Sequence, residues 1–180
     1  QQKLLLKDEL VIGHVGGFFE QKNHEYIIKI YRSILKIKPH SKLILIGDGP
    51  LRKAIEENAK DLGEHVVFIG LVDNVEDYLQ VMDGMLLPSL FEGLPLVSIE
   101  WQINGLPCIL SDTITRDCAF TDNVKFLSLN LKPGIWAESI IKMVEENNRF
   151  YSSNIGTERV TLSGFNILQE ADKLHAIYVE

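Results

Sequence analysis

The residues best suited to chemistry lie in one stretch, residues 88–107, which reads PSLFEGLPLVSIEWQINGLP. An apolar run ends at Pro88, a loop carries Ser89, Glu92 and Gly93, and Pro95 opens a helix. At a helix start the first N–H groups lack intrahelical partners, and the aligned peptide dipoles place partial positive charge there. The N–H groups of Gly93, Leu94, Leu96 and Val97, on either side of Pro95, therefore compose an anion site suited to a diphosphate. Gly93 lets the backbone approach a ligand closely. Glu100, a turn or more into the helix, is placed to accept hydrogen bonds from ribose hydroxyls, and Glu92 to face a sugar. Taken alone, both glutamates also fit ordinary solvated positions, since functional carboxylates are a minority.

The elements that must position these residues alternate along the chain. Val11, Ile12 and Val15 form a first strand that ends in Gly16-Gly17. Asn23 reads as an N-cap before Tyr26, Ile27, Ile30, Tyr31 and Ile34, which recur at helical spacing. Residues 43–46 form a continuous apolar run, as in a strand covered on both faces. Gly47-Asp48-Gly49-Pro50 then turns into a helix whose inward residues are expected to be Leu51, Ala54, Ile55, Asn58 and Leu62, with Gly63 closing it. Asp48 reads as a capping residue at that start rather than a ligand contact. Residues 66–69 make a strand, Asn74 caps a short helix through Val75, Tyr78, Leu79 and Met82, and residues 85–87 make another strand. Further strands follow at residues 108–110 and 124–127. A helical tail closes the chain, with Trp136, Ile140, Ile141 and Val144 on one face and Leu168, Ala171, Leu174 and Tyr178 on another.

Buried strands alternating with helices imply an α/β doubly wound parallel sheet, because parallel strands need helical crossovers. Ligands of such sheets bind at the carboxyl ends of the strands. The loops beginning at Gly16, Gly47, Gly70, Pro88 and Ser111 are therefore where a site is expected.

The chain's 180 residues suit a single domain spanning residues 1–180. A net charge of −7 argues against a nucleic-acid partner. Two cysteines, Cys108 and Cys118, are too few for a disulfide framework, and Cys108 in its apolar run reads as a buried hydrophobe. His14 and His24 lack Asp or Cys partners at suggestive spacing and read as packing or capping residues; no metal is expected. No apolar stretch approaches the ~20 residues that span a bilayer. The start, Gln1-Gln2-Lys3, has neither a signal-peptide pattern nor an initiator Met, so a cytoplasmic fragment of a longer chain is the expectation.

Glu92 and Glu100, separated by seven residues and set in EGLPLVSIE before NGLP, resemble the E-x7-E signature of the group 1 (family 4) retaining glycosyltransferases of GT-B fold. GHVGGFFEQKNH, LILIGDGPLRKAIE, VVFIGLVDNVEDYLQVMD and GLPCILSD resemble consecutive blocks of that family's C-terminal, donor-binding domain. The likeness covers about residues 10–130, and GFNILQEADKLHAIY suits the family's last helix. It implies a Rossmann-like half of a GT-B enzyme, with the N-terminal acceptor domain outside this chain. By the same resemblance Lys22, in the loop opened by Gly16 and Gly17, reaches the donor diphosphate, as a phosphate loop needs a cation. Residues 93–97 hold the phosphates, Glu100 the ribose, and Glu92 the transferred sugar or its developing positive charge. Gly70, Leu71 and Val72 cradle the base through backbone groups, with Gly47 close by. The implied donor is a nucleoside-diphosphate sugar, most often of uridine, used without a metal or other cofactor. The implied product is surface (capsular) polysaccharide or glycolipid, and any membrane contact, at the inner membrane, would come through the other half.

Two positions depart from the family. Gly17 stands where the family usually has Arg, five residues before the Lys, so one of two phosphate cations is missing. Such a clamp at a developing charge is worth on the order of 3 kcal/mol. Trp101 stands where a small residue is usual, so the packing around it must differ. A weakened or inactive binding domain is therefore an alternative reading. A nicotinamide-dependent dehydrogenase is a remote one, because GHVGGFFEQ lacks the G-x-G-x-x-G spacing. An isomerase on the same scaffold is a further possibility.

Overall fold

The computed structural model describes residues 9–179. Its centre is a sheet of six parallel strands in the order β3-β2-β1-β4-β5-β6. The strands are β1 (Leu10–Val15), β2 (Ser41–Ile46), β3 (Val66–Gly70), β4 (Gly84–Leu87), β5 (Cys108–Ser111) and β6 (Val124–Leu127). The helices are α1 (His24–Ile37), α2 (Arg52–Asn58), α3 (Val75–Leu79), α4 (Leu96–Ile103), α5 (Pro133–Glu146), α6 (Arg149–Val160) and α7 (Ile167–Val179).

The continuous apolar strands earn their burial from both sides. Leu43 and Leu45 of β2 join Ile12, Leu86 and Ile109 in a layer under α1 and α5, with Ile27, Tyr31, Ile34, Trp136 and Ile140. Ile44 and Ile46 point the other way and join Val11, Met85, Leu87 and Leu110 against Leu79, Met82 and Trp101. Alternation along a strand sends successive side chains to opposite faces, so one run feeds two cores. Trp101 is fully buried in the second layer, and its indole N–H has no partner among the described residues. Cys108 and Cys118 are buried free thiols, and burial pushes the Cys108 thiol up.

Several local expectations need correction. Asn23 precedes α1 but adopts left-handed backbone (φ 54°, ψ 48°), and its side chain does not cap the helix. The amide instead donates to the Pro88 carbonyl across the sheet, 3.1 Å away. Asn74 likewise caps no backbone; its amide donates to Asp77 at 2.6 Å. On α2 the inward stripe is Ile55, Ala59 and Leu62, whereas Leu51, Ala54 and Asn58 are exposed. The helix also stops at Asn58, and Gly63 turns the chain (φ 54°) inside the following 3-10 segment, Lys60–His65, rather than closing α2. Asp48 accepts from the N–H of Gly49 at 2.7 Å, a local turn contact rather than a cap on α2. In the tail, Trp136, Ile140 and Ile141 are buried as expected, but Leu168, Leu174 and Tyr178 of α7 are exposed.

The order of the strands reverses direction between β1 and β4, and their ladder is short. It registers Ile12 with Gly84 and Gly13 with Met85. Beyond that point side chains bridge the strands. The fully buried His14 hydrogen-bonds through Nδ1 to the Leu86 carbonyl at 2.8 Å. His24 stacks on Phe18 with ring centroids 4.0 Å apart and meets His14 edge-on at 4.7 Å. Both histidines pack the underside of the β1 loop, as the sequence suggests.

Burial holds the His14 pKa down to about 4 and the His24 pKa down to about 2, so both rings are neutral in the folded state. The unfolded chain binds protons first as pH falls through the ordinary value of about 6.5. Stability from this pair is therefore complete above pH ~7 and declines below 6.5, at up to about 1.4 kcal/mol per pH unit for each ring. Urea unfolding of His24→Phe, which keeps the stack on Phe18, should show that slope reduced by about 1.4 kcal/mol per pH unit between pH 6 and 4.5. An unchanged slope would show that His24 is not held neutral.

Candidate functional site

The break in strand order places the loops after β1 and β4 side by side at the carboxyl edge, where a crevice opens in such sheets. Their backbone ladder has ended, and a set of polar contacts takes over. Leu90 N–H donates to the Gln21 carbonyl at 2.8 Å. The Gln21 amide donates to the Phe91 carbonyl at 2.9 Å and to Glu92 Oε2 at 3.1 Å. Lys22 Nζ donates to Glu92 Oε1 at 2.6 Å. From the other side, Ser111 Oγ and Thr113 Oγ1 both donate to the Ser89 carbonyl, at 2.5 and 3.0 Å.

Lys22 and Glu92, assigned by sequence to different parts of a ligand, are thus one ion pair. Their side chains are 18% and 9% exposed, so the pair is screened little by water. In so sheltered a place, loss of either partner strands a charge, which typically costs ~3 kcal/mol. Lys22 also lies over Gly16, where its Cδ is 3.4 Å and His14 Nε2 2.8 Å from the position a Cβ would take. Gly16 in turn backs onto Gly47: a Cβ on Gly47, which has φ 134°, would sit 2.2 Å from the Gly16 carbonyl oxygen. Gly47 N–H donates to the Gly70 carbonyl at 2.9 Å. Gly16, Gly47 and Gly70 therefore form one continuous floor across the ends of β1, β2 and β3.

The Glu92 loop leads directly into α4. Pro95 occupies its N-cap position, and no side chain caps this end. Ser98 N–H returns to the Pro95 carbonyl, while the N–H groups of Gly93, Leu94, Leu96 and Val97 have no partner among the described residues. The free donors expected from sequence are present. Glu100 lies elsewhere, in a groove between α3 and α4 lined also by Asp73, Val75, Glu76 and Ile103. Partial burial, and then the Glu76 carboxylate, raise its pKa. Asp73 directly follows Gly70-Leu71-Val72, so Glu100 adjoins the segment expected to take a base; Leu71 is exposed and Val72 partly buried.

At Gly17 the backbone leaves room for a side chain only if Phe19 moves. A Cβ there would sit 2.7 Å from the Phe19 ring and 3.4 Å from the Asp48 carbonyl oxygen. Phe19 is 54% exposed, so its ring lies at the surface beside the position a larger residue 17 would fill.

The sequence reading missed Gln21 and Asn23 as bridging residues, together with Ser111 and Thr113. Their one visible signal was position, since Ser111 ends β5 and the other three follow strand ends. It also passed over Arg52, whose Nη1 is 3.1 Å from the Cβ position of Gly70. Among the described residues no three His, Cys, Asp or Glu side chains gather as metal ligands would. Nor is any described helix long and apolar enough to cross a membrane.

Comparison with known proteins agrees with this architecture. The sequence pattern of the family described as "Glycosyl transferases group 1" matches residues 9–146. The putative glycosyltransferase EpsF of Bacillus subtilis is 41% identical over 138 residues, which are 75% of this chain and 36% of that protein. The UDP-Gal:alpha-D-GlcNAc-diphosphoundecaprenol alpha-1,3-galactosyltransferase of Escherichia coli is 25% identical over 182 residues, 98% of this chain and 47% of that protein. The chain thus spans less than half the length of these two relatives. Among solved structures, Anabaena Alr3699/HepE in complex with UDP superposes with a TM-score of 0.76 at 18% identity, covering 97% of this chain and 51% of that one. The parallel sheet with its flanking helices is that of the GT-B enzymes, and the chain belongs to the group 1 glycosyltransferase family.

Proposed function

We propose that this chain binds the diphosphate of a nucleoside-diphosphate sugar and serves as the donor half of a retaining glycosyltransferase. The observation that carries the reading is the convergence, at the point where strand order reverses, of Lys22, the free N–H groups of residues 93–97 and Glu92. A diphosphate laid there gains hydrogen bonds from donors that no other group uses, with the dipole of α4 behind them. Lys22 then turns from Glu92 to the phosphates, and Glu92 is released toward the sugar carried by the donor. Glu100 and the peptide edges of Gly70, Leu71 and Val72 take the ribose and base. In this reading Lys22 and the helix start supply the positive charge, with no metal ion required.

Support for a uridine donor comes from the relatives: the E. coli protein is named for UDP-Gal, and the Anabaena structure holds UDP. We further propose that the whole enzyme pairs this half with an acceptor-binding half and builds surface polysaccharide or glycolipid at the cytoplasmic side of a membrane. Transfer needs the acceptor hydroxyl held close to the donor, which this half alone does not provide. Gly17 favours a second reading, a donor site of reduced power, because one cation of the phosphate clamp is absent.

Calorimetric titration of the chain with UDP, GDP and NAD⁺ tests the proposal. UDP or GDP should bind, and Lys22→Ala or Glu100→Ala should weaken the affinity by about tenfold or more. Binding of NAD⁺ alone would overturn it in favour of a dehydrogenase. Gly17→Arg places a guanidinium beside the Lys22 loop and should tighten UDP binding by about tenfold once Phe19 swings aside. Unchanged affinity in a folded Gly17→Arg variant would show that the diphosphate does not lie against Gly17.

A further inference from the structure

Arg52 is a cation at the floor of the crevice that the donor-site assignment leaves unused. It opens α2, and its side chain is 26% exposed. The Nε–H donates to Glu56 Oε1 at 2.7 Å, which fixes the plane of the guanidinium. Nη1 stands 3.6 Å from Asp48 Oδ2, and neither terminal nitrogen makes a hydrogen bond among the described residues. Nη1 reaches to 3.1 Å from where a Cβ of Gly70 would be, so the absence of a side chain at residue 70 leaves room for the group. Gly70 itself has φ 88°, a conformation that favours glycine. Its carbonyl is tied to Gly47, which backs onto Gly16. Arg52 therefore borders the same floor as Lys22, but at the β3 end.

Its electrostatic setting tells what it is fit to hold. Asp48 and Glu56 flank it, two carboxylates against one guanidinium. Their proximity already compensates the charge, so Arg52 is a poor substitute for the phosphate cation missing at Gly17. What remains is directional: free N–H donors with no accepting atom. Such a group pairs with a neutral carbonyl and leaves an amino group facing it unpaired.

We propose that Arg52 is a specificity-determining residue that reads the oxo group of the nucleobase, favouring uracil O4 or guanine O6 over the amino groups of cytosine and adenine. The inference rests on the donor-binding reading, which puts the base beside Gly70, Leu71 and Val72. It adds a side chain to a base site otherwise made of backbone. A glutamine at this position carries both a donor and an acceptor and so loses the preference.

UDP and CDP are the decisive probes, because their bases differ at the C4 substituent and the protonation of N3. Calorimetry on the chain should show UDP binding about tenfold or more tighter than CDP. Arg52→Gln should lower UDP affinity by about tenfold and bring the UDP-to-CDP ratio near one, with its thermal midpoint within a few degrees of the parent. A parallel GDP and ADP pair shows whether the oxo group read is that of a pyrimidine or a purine. If Arg52→Gln keeps the parent ratio, Arg52 only braces α2 and the inference fails while donor binding stands. If the parent chain binds none of these nucleotides, the donor-binding reading fails first and takes this inference with it.

Discussion

The Lys22–Glu92 ion pair joins two loops that the sheet itself no longer holds together. β1 and β4 share a ladder only at Ile12–Gly84 and Gly13–Met85, and past it the chain turns away on both sides. A crevice is the geometric result, and it would gape without cross-links. His14 to the Leu86 carbonyl, Asn23 to the Pro88 carbonyl, and Gln21 and Lys22 to the Phe91–Glu92 segment close it in succession from the sheet outward. Each link draws on a residue of the β1 strand or loop, so residues 14–23 act as a clasp over the end of β4. The start of α4 is positioned by the same clasp, because the Glu92 loop runs straight into it.

That arrangement makes the site ready but not idle. A carboxylate only 9% exposed needs a cation, and Lys22 supplies it at 2.6 Å. In the proposed donor-binding reading, an incoming diphosphate would compete for the same ammonium while offering its own charge to the free N–H groups of Gly93, Leu94, Leu96 and Val97. Charge exchange of this kind costs little when a new partner replaces an old one, and a good deal when it does not. Gly17 sharpens the competition, since no second cation stands by in that loop. Arg52, flanked by Asp48 and Glu56, does not relieve it.

The parallel sheet was legible because β2 carries an uninterrupted apolar run at residues 43–46 and α1 repeats Ile27, Ile30, Tyr31 and Ile34 on one stripe. The loops that carry the site followed from strand ends alone. The inward face of α2 did so only in part: Ile55 and Leu62 turn inward as expected, but Leu51, Ala54 and Asn58 do not, and only the neighbouring sheet decides which row is buried. Asn23 misled for a related reason. Its type and place suit an N-cap, but a tertiary acceptor, the Pro88 carbonyl, outcompeted the helix for its amide. Pairing of Lys22 with Glu92 joins residues seventy positions apart, and no spacing rule reaches that far. Arg52 was hidden by its motif, which reads as a turn and helix start until Gly70 is seen beside it.

The most direct test of the account is a crystal structure of the chain with UDP bound. The diphosphate should lie over Gly16 and Gly17 against the N–H groups of residues 93–97, with Lys22 Nζ moved from Glu92 to a phosphate oxygen. UDP seated away from these loops, with the Lys22–Glu92 pair undisturbed at its present distance, would contradict it.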